Sequence, residues 1–411
     1  MTPMQRLDVQ PWMVTRATRS LLAALRAAGG EVRFVGGCVR NAVLAVPVED
    51  IDLATSLLPE EVVRALTAAG LASVPTGLAH GTVTAIVDGQ SYEITTLRRD
   101  VETDGRHAVV AFTRDWQADA ARRDFTLNAL YADEEGHLFD YVGGLNDLQA
   151  RHVRFVGEPA RRLRVDYLRA LRFYRFSAWY GTPPYDAAGR AACAAAARSL
   201  DRLSGERVRR ELLALLAAPS PITAMDDMLA DGVLRYWLPE ATGTTRDLGH
   251  LVEIERSIAA ADRLRRLAAL IADRTDVGAC ADRLRLSRAE ADRLGAMLAE
   301  ACDGDIDGGP RGWRRAIHRV GRAAFVDRLL LVAARRGLGW EKAYELATTW
   351  RDPKFPVRGA DVLARGVPAG SAVGEILTAV EDWWVDGDFT ADRAACLDRL
   401  AQEVRRRKLA C

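Results

Sequence analysis

At 411 residues, with 49% apolar and 27% charged side chains, the chain is too long for one ordinary core and is expected to fold as two to four soluble domains. It has no apolar run near the roughly 18 residues of a membrane span and no signal-peptide pattern over Met1–Gln10. Its six cysteines form neither CxxC nor Cys/His clusters, which excludes an obvious zinc site and suits reduced thiols in a cytoplasm. The net charge of +1 conceals a step, from −7 over residues 1–150 to +8 over 151–211 and zero beyond. An acidic segment followed by a basic one suits a metal-dependent enzyme acting on a polyanion.

In chain order, apolar residues recur at helical spacing from Val14 to Ala28 and stop at Gly29-Gly30. Glu31–Gly36 reads as a short strand, and Ile51–Leu53 as a second. Pro59–Ala69 reads as a helix, with proline in its first turn and Gly70 just past its end. Thr82–Val87 and Ser91–Leu97 flank Asp88-Gly89-Gln90 as a β-hairpin, and the polar stretch Arg98–Ala108 is expected to be a mobile loop. These elements predict an α+β domain over 1–150. Beyond Glu158, Arg161–Trp179 and Gly205–Ala218 are predicted helices. Gly308-Gly309-Pro310 and Asp352-Pro353-Lys354 separate later helical blocks, so the remainder is expected to be all-helical, divided into 151–240 and 241–411.

Asp50 and Asp52 stand at i and i+2, which project to one face of a strand. Two carboxylates side by side repel unless a hard cation lies between them, and Mg²⁺ suits a few carboxylates shared with phosphate oxygens and water. Upstream, Gly36 and Gly37 bare backbone amides that can approach a phosphate chain closely. The pattern points to metal-assisted phosphoryl or nucleotidyl transfer, with two metal ions activating a hydroxyl and neutralising a leaving pyrophosphate. Glu93 is either a third carboxylate of that set or a structural support. In Ala121–Leu130, Arg122 either contacts a triphosphate, with Asp124 and Asn128 fixing the backbone, or belongs to a plain helix–strand junction.

Asp166, Arg169, Arg172 and Arg175 recur every third residue, opposite an apolar stripe of Leu168, Leu171, Phe173 and Phe176. The set reads as a solvated basic face or as the wall of a cleft. An acid–arginine pair such as Asp166–Arg169 has a specific chemical use. Cytosine and adenine both present an amine beside an unprotonated ring nitrogen, which a carboxylate and a guanidinium match. Uracil and guanine present the opposite pattern and would leave both side chains mispaired.

Taken together, Val35–Arg40, Glu49–Thr55, His80–Thr84, Glu93–Leu97, Ala121–Leu130, Tyr141–Leu148 and Asp166–Phe176 resemble, in order, the class II tRNA nucleotidyltransferase / poly(A) polymerase family. The resemblance implies a DNA polymerase β-like nucleotidyltransferase head, then an all-helical neck, body and tail, and CTP- and ATP-dependent addition of CCA to tRNA 3′ ends. By motif it assigns Gly36, Gly37, Arg40 and Arg122 to the triphosphate, and Asp50 and Asp52 to Mg²⁺. Glu93 joins them as a catalytic candidate, Asp166 and Arg169 template the base, and Arg172 and Arg175 line the nucleotide site. The tRNA acceptor arm is the implied partner, bound by the neck and by residues 241–411.

Val165 replaces the acid that usually precedes the family's Asp, removing a helper that would orient Arg169. Family members differ in product. The segment Pro75–Thr82 lacks the basic Gly-Arg-Arg-Phe-like signature of poly(A) polymerases, and the loop Arg99–His107 is complete, unlike that of CC-adding specialists. Full CCA addition is therefore expected, ahead of a poly(A) polymerase or an A-adding or CC-adding specialist. A non-catalytic RNA-binding protein would have no need of the aspartate pair. No histidine is followed by aspartate, so no His-Asp phosphohydrolase activity is expected.

Overall fold

A computed structural model describes residues 6–77, 81–103, 108–241, 244–271, 276–299 and 303–410. The chain divides into two compact units, one running to residue 243 with Asp282–Arg285, the other comprising Thr244–Ala281 and Leu286–Cys411. The expected head and neck thus lie together in the first unit.

The first unit is built on a seven-stranded sheet. Its strands are β1 (Val32–Val35), β2 (Ile51–Thr55), β3 (Ala72–Gly77), β4 (Thr82–Val87), β5 (Gln90–Thr96), β8 (Leu130–Ala132) and β9 (Leu138–Asp140). They are ordered β3-β4-β5-β2-β1-β8-β9. Every neighbouring pair is antiparallel except β2 and β5, which run parallel with Asp52 opposite Glu93. Alternation sends Ile51, Leu53, Tyr92 and Ile94 into the core on one face and leaves Asp52 and Glu93 on the other. The buried face packs on α1 (Arg16–Ala27), whose Leu21, Leu22 and Leu25 are buried and whose Thr18 hydroxyl bonds Tyr92 Oη at 3.0 Å. Next to α1 lies α3 (Pro59–Ala68), with Val62 and Leu66 inward. The carboxylate face is covered further along: Ala54 joins Leu97, Tyr131, Trp116 and Ala120 in a second small core, the last two on α4 (Trp116–Ala121).

The expected loop Arg98–Ala108 is largely a hairpin. β6 (Arg98–Thr103) and β7 (Ala108–Phe112) pair antiparallel as a separate two-stranded sheet. β6 (Arg-Arg-Asp-Val-Glu-Thr) is polar and shows no alternation to reveal it, while the apolar β7 lies past the expected loop except for Ala108. Residues 104–107 of the expected complete loop, and Leu78–His80 of the segment before β4, lie outside the described residues. Strands β3, β8 and β9 also went unpredicted; β8 and β9 are only three residues each, too short for a period to show.

The predicted helix Arg161–Trp179 is two helices, α6 (Pro159–Val165) and α7 (Leu168–Tyr180). Asp166 breaks them with an extended backbone (φ −158°, ψ 112°), so it precedes the helix carrying Arg169 instead of sharing its face. α5 (Gly144–Gln149) starts against the preceding chain so closely that a Cβ on Gly144 would stand 2.1 Å from the Thr126 carbonyl oxygen. An aromatic cluster then binds sheet to helix: Phe125 meets Phe155 (4.9 Å between centroids) and Phe176 (5.3 Å), and Phe155 stacks on Phe173 at 5.5 Å. This packing carries the neighbour of Phe125, Asp124, onto α7. α8 (Ala187–Ala196), α9 (Gly205–Leu216) and α10 (Ile222–Ala230) complete the unit.

The second unit is helical throughout its described residues, with one buried cluster around Phe325 and Leu329 and another around Trp384, Val380 and Leu400. No described helix is long and apolar enough to cross a membrane.

Candidate active site

β1 ends in a turn at Gly36, whose φ of +72° is a conformation that side chains rarely adopt, and α2 (Gly37–Val43) follows directly. β2 then returns beside β1 with Asp52, and Asp50 stands exposed just before it. Parallel pairing with β5 sets Glu93 directly beside Asp52, and the charges of both Glu93 and Asp50 bear on Asp52, although the three carboxylates do not converge within 4.8 Å of one another. Burial, reinforced by Glu93 and Asp50, pushes the Asp52 carboxyl up to about 6 against the pull of Arg123 and Arg40. A half-buried carboxylate repelled by two others is the donor set a hard divalent cation fits.

The tightest acidic grouping among the described residues lies elsewhere, at Asp133, Glu135 and His137. There Asp133 accepts from the Glu135 and His137 amides and pairs with His137 Nδ1 at 2.8 Å, which is how the β8–β9 turn closes.

The arginines sort differently from expectation. Arg40 is buried, and its guanidinium donates to Asn128 Oδ1 (2.5 Å), Asn41 Oδ1 (2.8 Å) and Tyr180 Oη (2.9 Å). Its ring contact with Tyr180, 4.1 Å from the centroid, completes an anchor between α2 and α7. Most of its donors are thereby engaged in this anchor, and its Nη2 also stands 3.8 Å from where a Cβ on Gly37 would lie, at the glycine turn. Arg123, not singled out from sequence, is the arginine beside Gly36 and the one whose charge acts most on Asp52. Arg122 lines an open cavity of about 270 Å³ together with Arg123, Asp124, Asp166, Arg169, Arg172, Arg207 and Arg210. The cavity contains the predicted base-reading pair and five further cationic side chains; Gly-Glu-Arg-Val-Arg-Arg at 205–210 was the overlooked signal for the last two.

Within it, Asp166 accepts from the Leu168 amide at 3.1 Å and from Arg207 Nη2 at 2.6 Å. Arg169 donates to two backbone carbonyls, those of Arg122 (3.2 Å) and Arg162 (3.4 Å). The helper acid missing at Val165 is therefore replaced by main-chain oxygens on Arg169 and by Arg207 on Asp166. Burial draws the Arg169 guanidinium down from its ordinary value despite Asp124, Asp100 and Asp166 nearby. Arg172 pairs with Asp124 (2.6 Å) and lies 3.7 Å from Glu211, while Arg175 pairs with Glu211 (2.6 Å) and is absent from the cavity wall. Arg175 thus ties α7 to α9 rather than facing the cleft.

Burial alone would raise the Asp124 carboxyl, yet Arg172 and Arg169 hold it well below the usual carboxylate range. A depressed folded value contributes stability that is present above the unfolded value of about 3.9 and is lost as pH falls further. Asp124→Asn is accordingly expected to cost on the order of 3 kcal/mol at pH 7, the scale for breaking a buried pair. The gap from the parent protein should narrow below about pH 4. Urea unfolding of both proteins between pH 7 and 3 checks this; a pH-independent gap contradicts it.

Comparison with known proteins bears on the same residues. Residues 32–154 match the family model "Poly A polymerase head domain", and 186–243 match "Probable RNA and SrmB-binding site of polymerase A". The mitochondrial CCA tRNA nucleotidyltransferase 1 of Danio rerio is 32% identical over 380 residues, 90% of this chain and 87% of that protein. The CCA-adding enzyme of Streptococcus gordonii is 39% identical over 239 residues, 57% of this chain and 58% of that protein. The crystal structure of the Bacillus stearothermophilus CCA-adding enzyme with CTP aligns with a TM-score of 0.76 at 28% identity, covering 98% of this chain and 100% of that one. The Thermotoga maritima CCA-adding enzyme complexed with tRNA shares the fold at a TM-score of 0.70 and 20% identity, covering 98% and 100%.

Proposed function

Because the chain belongs to the CCA tRNA nucleotidyltransferase family, we propose that it adds C, C and A to tRNA 3′ ends from CTP and ATP without a nucleic-acid template. The observations that carry this reading are Asp52 set beside Glu93 by the sheet and, separately, Asp166 and Arg169 in one arginine-walled cavity. A template-free enzyme needs both: one set for the chemistry, the other for the choice of base.

Membership of a nucleotidyltransferase family implies a divalent metal. Asp50, Asp52 and Glu93 would hold Mg²⁺, which when bound lowers the pKa of the attacking hydroxyl and neutralises charge on the leaving pyrophosphate. The chain's own groups do the rest. Arg122 and Arg123 offer guanidiniums to the triphosphate, and the Gly36 turn leaves room for it beside Asp52. Asp166 accepts from the amine of cytosine or adenine, and Arg169 donates to the adjacent ring nitrogen. The residues divide into a head (1–150), a neck (151–240) that reads the base, and a helical body and tail (241–411) that bind tRNA. The acceptor arm would be gripped through phosphates and A-form shape, which all tRNAs share. Cys38, Cys193 and Cys396 are buried and form no disulfide among the described residues, which suits a reducing compartment such as the cytoplasm; the zebrafish relative is mitochondrial.

Purified protein given tRNA lacking CCA, tRNA ending in CC, or an unrelated RNA, with one labelled nucleotide at a time, tests the reading. Addition of C, C and one A to tRNA alone supports it. Long A tails on any RNA refute it, and A addition to CC-ended tRNA without C addition marks an A-adding specialist.

A further inference from the structure

Asp119, on α4, was not marked by any sequence pattern, yet it is one of the most heavily bonded side chains of the first unit. It is 1% exposed. Its Oδ1 accepts from Arg122 Nε at 2.8 Å and from the Arg98 amide at 3.2 Å. Its Oδ2 accepts from Arg123 Nε (3.3 Å), Arg123 Nη2 (3.1 Å) and Tyr131 Oη (2.8 Å). Residues 122 and 123 are sequence neighbours, and without a common partner their long side chains would diverge; one carboxylate at i+3 and i+4 holds both.

The two arginines it holds face different parts of the site. Arg123 reaches back to the Gly36 turn and acts on Asp52. Arg122 lines the cavity of the base-reading pair, and its carbonyl accepts from Arg169. Arg98, held through its amide, opens β6, and its Nε is buried with no hydrogen-bond partner among the described residues. Two guanidinium groups and the Arg98 amide thus converge on one buried carboxylate; Arg123 also donates to Tyr131 Oη and the Asn128 carbonyl, and the donors these bonds do not take are available to an anion.

Resting on the activity proposed above, we infer that Asp119 is a positioning residue for nucleotide binding: it holds Arg122 and Arg123 in the arrangement that presents them to the polyphosphate. It touches neither metal nor nucleotide. Its effect passes through the two arginines, and the polyphosphate of CTP or ATP is the ligand they are held for.

The test uses full-length Asp119→Asn and Asp119→Glu. Asp119→Asn is expected to raise the KM for both CTP and ATP about tenfold, and to weaken inhibition by inorganic tripolyphosphate by a similar factor. The preference for CTP over UTP, set by other residues, stays unchanged. Simple loss of a negative charge among arginines predicts the reverse, a tighter hold on tripolyphosphate. Unchanged or tightened inhibition therefore overturns the inference.

Should the asparagine variant fail to fold, Asp119→Glu keeps the charge while displacing the carboxylate by one methylene. A raised KM supports positioning, and a wild-type KM overturns it. Calorimetric CTP binding, run in parallel, separates the two proposals. If the parent protein adds nothing to tRNA, the proposed activity fails, while CTP affinities of parent and variant still decide the role of Asp119.

Discussion

Asp52→Ala is expected to abolish nucleotide addition while tRNA binding stays within about twofold of the parent protein. The carboxylate belongs to a strand whose opposite face is core, Leu53 and Ile51 being 0% and 6% exposed, so removing it leaves the strand and its pairing in place. What is lost is the half-buried member of the Asp50–Asp52–Glu93 set. Metal stabilisation of charge in the transition state is worth several kcal/mol, and each 1.36 kcal/mol is tenfold in rate. The predicted loss is thus on the order of a thousandfold or more in single-turnover addition of A to CC-ended tRNA. RNA affinity, measured by filter binding, reports whether the surface survives. A variant that keeps a tenth of the parent rate would remove Asp52 from the metal site. Glu93→Ala, from the adjacent strand, should behave in the same way if β5 contributes to that site and retain most activity if Glu93 is only support.

The second large effect concerns selection. Arg169 makes no ion pair among the described residues; its bonds are to two carbonyls, which orient the guanidinium without neutralising it. Its remaining donors are free to meet a base. Arg169→Ala is expected to lower kcat/KM for CTP and ATP about a hundredfold or more, with a much smaller change for UTP and GTP, so that discrimination collapses. The physical basis is that a site built to hydrogen-bond a group rejects analogues that leave its polar partners unpaired, by factors up to about 10⁴–10⁵. Once the guanidinium is gone, no such penalty remains for the wrong base. Competition between labelled CTP and UTP on tRNA lacking CCA measures it directly. An unchanged preference would assign base choice to other residues.

The chemistry-bearing residues were legible in the chain to different depths. Asp50 and Asp52 could be read together because strand alternation is local, and Asp166 and Arg169 because an acid and an arginine match one edge of C and A. The helix ends at Gly29-Gly30 and Gly70 followed from local backbone preference in the same way. Arg40 illustrates the limit. Its place in a glycine-turn motif suggests a phosphate contact; that its guanidinium also bonds Asn128 and Tyr180, which come from far along the chain, and anchors α2 to α7 was not legible. Arg175 had the same spacing as Arg169 and Arg172, yet Glu211 of α9 draws it out of the cavity. Spacing along a helix states which side chains share a face; it does not state which acids will meet them.

What this sequence determined alone was the alternation of its strands, the turns at its glycines and the types of side chain available for metal, phosphate and base. These depend on contacts within a few residues, so they survive without knowledge of the rest. Only the tertiary structure decided that β5 runs parallel beside β2 and sets Glu93 next to Asp52, that the chain breaks at Asp166, and that buried Asp119 gathers Arg122 and Arg123. The reason is burial. A carboxylate or guanidinium removed from water must find its partner wherever the fold brings one, and that choice is made by packing between segments distant in sequence.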